Sequence, residues 1–165
     1  MPCSCSRNRI PPRRRELPGP GIAAVHGGGL GGGFQLAVGA DMRYATADCK
    51  MSILEIRWGL VPDVAGTQIM RHLAREDIVR ELTYTGRILN GEEAARIGLA
   101  TRVDPDPLTA ARALAGEIAG RSPDAVRAAK RLFESSWHSG GPAALELESE
   151  LQFGLIGSPN QMAAV

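Results

Sequence analysis

Six glycines in eight positions, His26-Gly27-Gly28-Gly29-Leu30-Gly31-Gly32-Gly33, mark the place in this sequence where a backbone could do chemistry. Each glycine costs conformational entropy on folding, so a run of them needs a reason. Bare N–H groups at a helix N-terminus supply one, because that end of a helix attracts negative charge. Two carboxylates follow in an apolar loop, Glu55 and Asp63 of Glu55-Ile56-Arg57-Trp58-Gly59-Leu60-Val61-Pro62-Asp63.

The kind of negative charge is set by what accompanies the glycines. Gly27-x-Gly29-x-x-Gly32 matches the dinucleotide fingerprint, but that fingerprint wants a long buried second strand ending in an acid about 20 residues on. Asp41-Met42-Arg43-Tyr44 is short and polar instead. A Walker loop fails, since no Lys-Ser or Lys-Thr follows the last glycine. His26-Gly27-Gly28-Gly29 fits an esterase oxyanion loop, yet the chain has no Gly-x-Ser-x-Gly to supply a nucleophile.

The elements that must position these groups read as alternating strands and helices, then helices alone. Ile22–Val25 is a short buried strand, and a helix covers Phe34–Ala40. Strands follow at Met42–Ala45 and Met51–Leu54, around the turn Thr46-Ala47-Asp48. Gly66-Thr67 offers an N-cap for a helix to about Leu73, and a second helix covers Glu76–Tyr84. Asn90 with Glu93 three later makes a capping-box start, closed by Gly98. A last strand spans Leu99–Val103. Helices follow over Leu108–Ala119, from the Ser122-Pro123 start to about Trp137, and over Ala143–Leu155 after the break Gly140-Gly141-Pro142. No internal repeat is evident at the spacing of solenoids.

At 165 residues, with 44% hydrophobic and 22% charged residues and a net charge of +1, the chain reads as one ordinary globular domain. That balance gives no reason to expect nucleic acid or a membrane as partner. No apolar run approaches the roughly 20 residues that cross a bilayer. Three cysteines, Cys3, Cys5 and Cys49, fit neither a disulfide framework nor paired zinc ligands, so a reduced, cytoplasmic setting is expected. His26, His72 and His138 share no metal-ligand spacing, and no metal site is expected. Residues 1–18 crowd Arg7, Arg9, Arg13, Arg14 and Arg15 among prolines, without the apolar stretch of a secretory signal. They are expected to be a disordered basic tail or an incorrectly assigned start.

From about Gly19 onward the sequence resembles the enoyl-CoA hydratase/isomerase (crotonase) family. The resemblance rests on Ile22-Ala-Ala-Val-His-Gly, Leu30-Gly-Gly-Gly, Gly39-Ala-Asp41-Met-Arg, Glu55, Gly59-Leu-Val-Pro62, Ala65-Gly-Thr-Gln68, Thr85-Gly-Arg-Ile-Leu and Glu93-Ala-Ala…Gly98-Leu, in order. It implies an α/β fold: a partial crotonase-like ββα superhelix over residues 19–120, followed by a helical region over 121–165. It also implies an enzyme of acyl-CoA thioesters, a trimer or dimer of trimers if the chain is complete, with no cofactor beyond the coenzyme A that is part of the substrate. Trp137 and the helix Ala143–Leu155 would supply packing and trimer contacts.

By the same resemblance, Gly32 donates one of two backbone N–H bonds to an enolate oxygen, with Leu30, Gly31 and Gly33 around the substrate. Glu55 matches the catalytic glutamate. Gln35 stands where hydratases of the family carry a second glutamate, and an amide cannot take a proton from water at neutral pH. Asp63 resembles the acid of the dienoyl-CoA isomerase branch. Isomerisation is therefore expected slightly ahead of hydration. The early strands, the second oxyanion donor and most nucleotide contacts of the family have no counterpart before Ile22. The alternative expectation is an inactive truncated member that serves in binding or oligomerisation.

Overall fold

The structure is a computed structural model that describes Arg15, residues 17–137 and residues 139–165. Cys3, Cys5, His138 and nearly all of the expected basic tail lie outside the described residues. Two compact units divide the chain, one holding Gly21–Arg112 and the other Ala113–Val165.

In the first unit, strands β1 (Ile22–Val25), β3 (Met42–Ala45) and β5 (Arg102–Val103) form one parallel sheet in the order β1-β3-β5. Strands β2 (Gly28–Leu30) and β4 (Lys50–Ser52) form a second parallel pair. Ile22 pairs with Met42 in one sheet, and Gly28 pairs with Lys50 in the other. Each turn of chain thus lays two short strands on the two before it and then runs into a helix. This is the ββα winding that the resemblance implies. Parallel neighbours need a crossover, and β2 with helix α1 (Gly32–Val38) provides it between β1 and β3.

Several boundaries differ from the sequence reading. The glycine run is itself partly a strand, with Gly31 N–H donating to Ser52 O and Lys50 N–H to Gly27 O beyond its ends. Helix α1 begins at Gly32 rather than Phe34. β1 is half-buried apart from Val25, since β1 is an edge of its sheet among the described residues. The last strand is shorter than Leu99–Val103 because the Leu99 and Ala100 N–H groups both donate to Ala94 O, which removes them from the ladder.

A 3-10 turn over Glu55–Trp58 replaces the expected plain loop. Helices α2 (Gly66–Met70), α3 (Glu76–Thr85) and α4 (Gly91–Arg96) follow, and the Asn90 side chain caps α4 by accepting from Glu93 N–H at 2.8 Å. Phe34, Val38, Met51, Ile53, Met70, Leu82, Leu89 and Leu99 fill the core of this unit. Helix α5 spans Pro107–Ala119.

The second unit contains α6 (Pro123–Ser136), α7 (Gly141–Leu155) and a short α8 (Pro159–Met162) that the sequence reading did not foresee. Ser122 caps α6 with proline at its first turn, and α6 packs on α7. Trp137, expected to pack, is 66% exposed and sets its ring edge-to-face with Phe133, centroids 5.5 Å apart. No helix among the described residues is long and apolar enough to cross a membrane.

Arg43, in the segment that read as polar, is buried on β3. Its Nε donates to Leu99 O at 2.9 Å and its Nη1 to Ala40 O at 2.7 Å. It therefore ties the chain after α1 to the chain after α4. Burial, with the charge of Arg15, pushes its pKa down to about 10, and Asp41 opposes the shift. Arg43→Met is expected to lower stability by about 2–4 kcal/mol, because two buried carbonyls lose charge-assisted donors. Urea unfolding of the purified chain checks this, and a loss below about 0.5 kcal/mol contradicts it.

Candidate active site

Positive φ at Gly31 (51°) turns the chain from β2 into α1, a conformation that side chains rarely adopt. Gly32 is the first residue of the helix, so its N–H has no acceptor within the helix. No described residue accepts from the N–H of Gly32 or Gly33, and both residues are exposed. Leu30, at the end of β2, is 39% exposed.

Glu55 opens the 3-10 turn that follows β4. Because β4 pairs with β2, the carboxyl is delivered to the start of α1: a Cβ placed on Gly31 would lie 3.4 Å from Glu55 Oε1. Of the apolar neighbours in sequence, Ile53 is buried and Leu54 half-buried, while Ile56 and Trp58 face solvent. Glu55 Oε2 is shielded from solvent and has no hydrogen-bond partner among the described residues.

Gln35 is fully buried on the face of α1 that also carries Phe34 and Val38. Its Nε2 donates to Glu55 Oε1 at 2.6 Å. Its Oε1 accepts from the backbone N–H of Val64 at 3.0 Å and of Gly66 at 3.1 Å. The amide is thus a joint between the carboxyl and the loop that precedes α2.

Asp63 is exposed, and its side chain makes no hydrogen bond or ion pair with the described residues. It does not cap α2, whose N-cap is Ala65 rather than the expected Gly66-Thr67 pair. Its neighbour Val64 holds Gln35, so the backbone places Asp63 next to the joint without fixing its side chain.

Gly32, Gln35 and Glu55 therefore come together at one end of α1, and Asp63 lies one residue from a partner of Gln35. Val64 and Gly66 were missed, because a backbone N–H leaves no mark in sequence. The burial of Gln35 did leave one: it falls one and three positions from Phe34 and Val38, on one helical face. Chemically, the arrangement offers at the head of α1 a backbone N–H without an acceptor among the described residues, and near Gly31 a carboxyl whose Oε2 has no partner among them.

The sequence model described as enoyl-CoA hydratase/isomerase matches residues 13–161. A mitochondrial Delta(3,5)-Delta(2,4)-dienoyl-CoA isomerase of Rattus norvegicus is 42% identical over 129 residues, 75% of this chain and 39% of that protein. A Bacillus anthracis enoyl-CoA hydratase superposes with a TM-score of 0.90 at 30% identity, over 94% of this chain and 61% of that one. A Thermobifida fusca YX structure in complex with acetoacetyl-CoA superposes with a TM-score of 0.79 at 33% identity, over 86% of this chain and 56% of that one. The chain spans less than two thirds of each relative's length. On its sequence and its ββα winding, the chain belongs to the enoyl-CoA hydratase/isomerase family.

Proposed function

We propose that this chain acts on unsaturated acyl-CoA thioesters and shifts their double bonds, with Glu55 as acid and base. Glu55 Oε2 takes a proton from a carbon of the acyl chain conjugated to the thioester. The C–H electron pair moves into the conjugated system, and negative charge collects on the thioester oxygen, where Gly32 N–H receives it. The carboxyl then returns the proton to another carbon of the same system. Atoms balance without water or a cofactor, since coenzyme A enters as part of the substrate. Asp63 is the second acid/base for a longer dienoyl system, and Leu30, Gly31 and Gly33 flank the bound thioester. A trimer or dimer of trimers belongs to the same reading, with a mass of three or six chains by sedimentation equilibrium as its check.

The observation that carries this reading is the state of the two side chains at positions 35 and 55. Glu55 Oε2 has no hydrogen-bond partner among the described residues, while the oxygen of Gln35 already accepts two N–H groups. Adding water needs a group to take its proton while another protonates the carbon chain. Gln35 does neither, so a single carboxylate that carries one proton back and forth fits better. Similarity to a dienoyl-CoA isomerase points the same way.

The test is turnover of the purified chain on 2-enoyl-CoA, 3-enoyl-CoA and 3,5-dienoyl-CoA. Isomerisation faster than hydration is expected, and hydration in excess overturns the reading. Gln35→Glu sharpens it. One oxygen of the new carboxyl can accept from Val64 and Gly66, while the other shares a proton with Glu55. The ratio of hydration to isomerisation is then expected to rise about tenfold or more. An unchanged ratio would show that position 35 does not choose between the reactions.

A further inference from the structure

We propose that Gly66 is a positioning residue, which with Val64 holds the Gln35 amide in the one orientation whose Nε2 donates to Oε1 of the proton-transferring carboxyl, Glu55. The inference rests on the reading of Glu55 as the acid and base, and it assigns work to a residue that touches neither the substrate nor the carboxyl. An amide has two ends of similar size and opposite hydrogen-bonding character. In the observed orientation, Gln35 Oε1 faces two N–H groups and its Nε2 faces a carboxylate oxygen. A flip would set NH2 against both backbone donors and oxygen against oxygen. The backbone of the loop thereby decides which end meets Glu55.

Two features converge on this contact. Ala65 has φ 57°, alone among the described non-glycine residues in having a positive φ. Such a conformation persists only where its surroundings impose it. Here it turns the chain so that the N–H groups on either side of Ala65, at Val64 and Gly66, point at the same oxygen. Gly66 is then pressed against the amide. A Cβ on it would lie 2.6 Å from Gln35 Oε1, 2.9 Å from its Cγ and 3.0 Å from its Cδ. Those three atoms, all of Gln35, are the nearest a Cβ would meet. Gly66 is also the first residue of α2 and has no positive φ, so alanine suits its backbone. The glycine is therefore explained by Gln35 and not by the turn.

The test compares Gly66→Ala in the native background and in a Gln35→Ala background, with turnover, thermal midpoint and the side-chain amide signal of Gln35 in 1H–15N spectra as readouts. In the native background kcat is expected to fall about tenfold to a hundredfold with KM within about twofold, since a misplacement near 1 Å has costs of this order. The Gln35 amide protons should shift and exchange faster. In the Gln35→Ala background the space is vacated, so adding Gly66→Ala should lower kcat no further and should regain the midpoint lost by Gly66→Ala alone. An unmoved amide signal, or the same loss in both backgrounds, overturns the proposal. If Glu55→Gln leaves native turnover intact, the acid/base reading fails on its own account, and the amide signal still decides whether Gly66 holds Gln35.

Discussion

Glu55→Gln is expected to lower turnover on an unsaturated acyl-CoA by about a thousandfold, within the range that a positioned acid/base contributes. The substitution keeps the shape of the side chain. Its carbonyl oxygen can take the place of Oε1 and accept from Gln35 Nε2, so the joint to Val64 and Gly66 survives. What disappears is the free oxygen. Oε2 is shielded and has no partner among the described residues, and an NH2 in its place neither takes a proton from carbon nor returns one. Binding of the thioester, measured by calorimetry with a slowly reacting analogue, should change by only a few-fold, because the Gly32 N–H is untouched. A loss confined to kcat identifies a group that acts in the transition state. Turnover within about tenfold of the native chain would remove Glu55 from the chemistry.

The parts of this site that could be read in sequence are those whose signal is local. The strands Ile22–Val25 and Met42–Ala45, the helix Glu76–Thr85 and the Asn90 cap follow from residue types within a few positions of each other. β2 does not. Glycine is among the poorest strand formers, and Gly28–Leu30 is extended because Lys50–Ser52 lies alongside it, some twenty residues away in sequence. The winding repeats in space without repeating in residues, since each strand meets a different neighbour and only the pairing recurs. Gln35 was legible as a departure from the family pattern, but its role depends on two backbone N–H groups about thirty residues on. Arg43 shows the opposite failure. Its segment read as short and polar, whereas carbonyls from Ala40 and Leu99 make burial of the charge tenable.

Gly32 offers a sharper separation of backbone chemistry from backbone shape than most oxyanion donors allow. Its contribution is an N–H, which a side-chain substitution leaves in place. Position 32 opens α1, it has no positive φ, and a Cβ there would meet no atom within 4 Å. Gly32→Ala should therefore fold as the native chain does and keep turnover within a few-fold. Proline is tolerated at the first position of a helix, where its missing N–H breaks no helical bond and its φ suits the helix. The residue before it, Gly31, has ψ of −122° and no Cβ, which leaves room for the proline ring. Gly32→Pro is thus expected to keep the fold by circular dichroism and to lower turnover about a hundredfold to a thousandfold, the usual consequence of removing one oxyanion donor. Equal activity of the alanine and proline variants would mean that the developing charge is held elsewhere. A large gap between them, with matched thermal midpoints, would assign the glycine run its chemistry through one hydrogen at the head of α1.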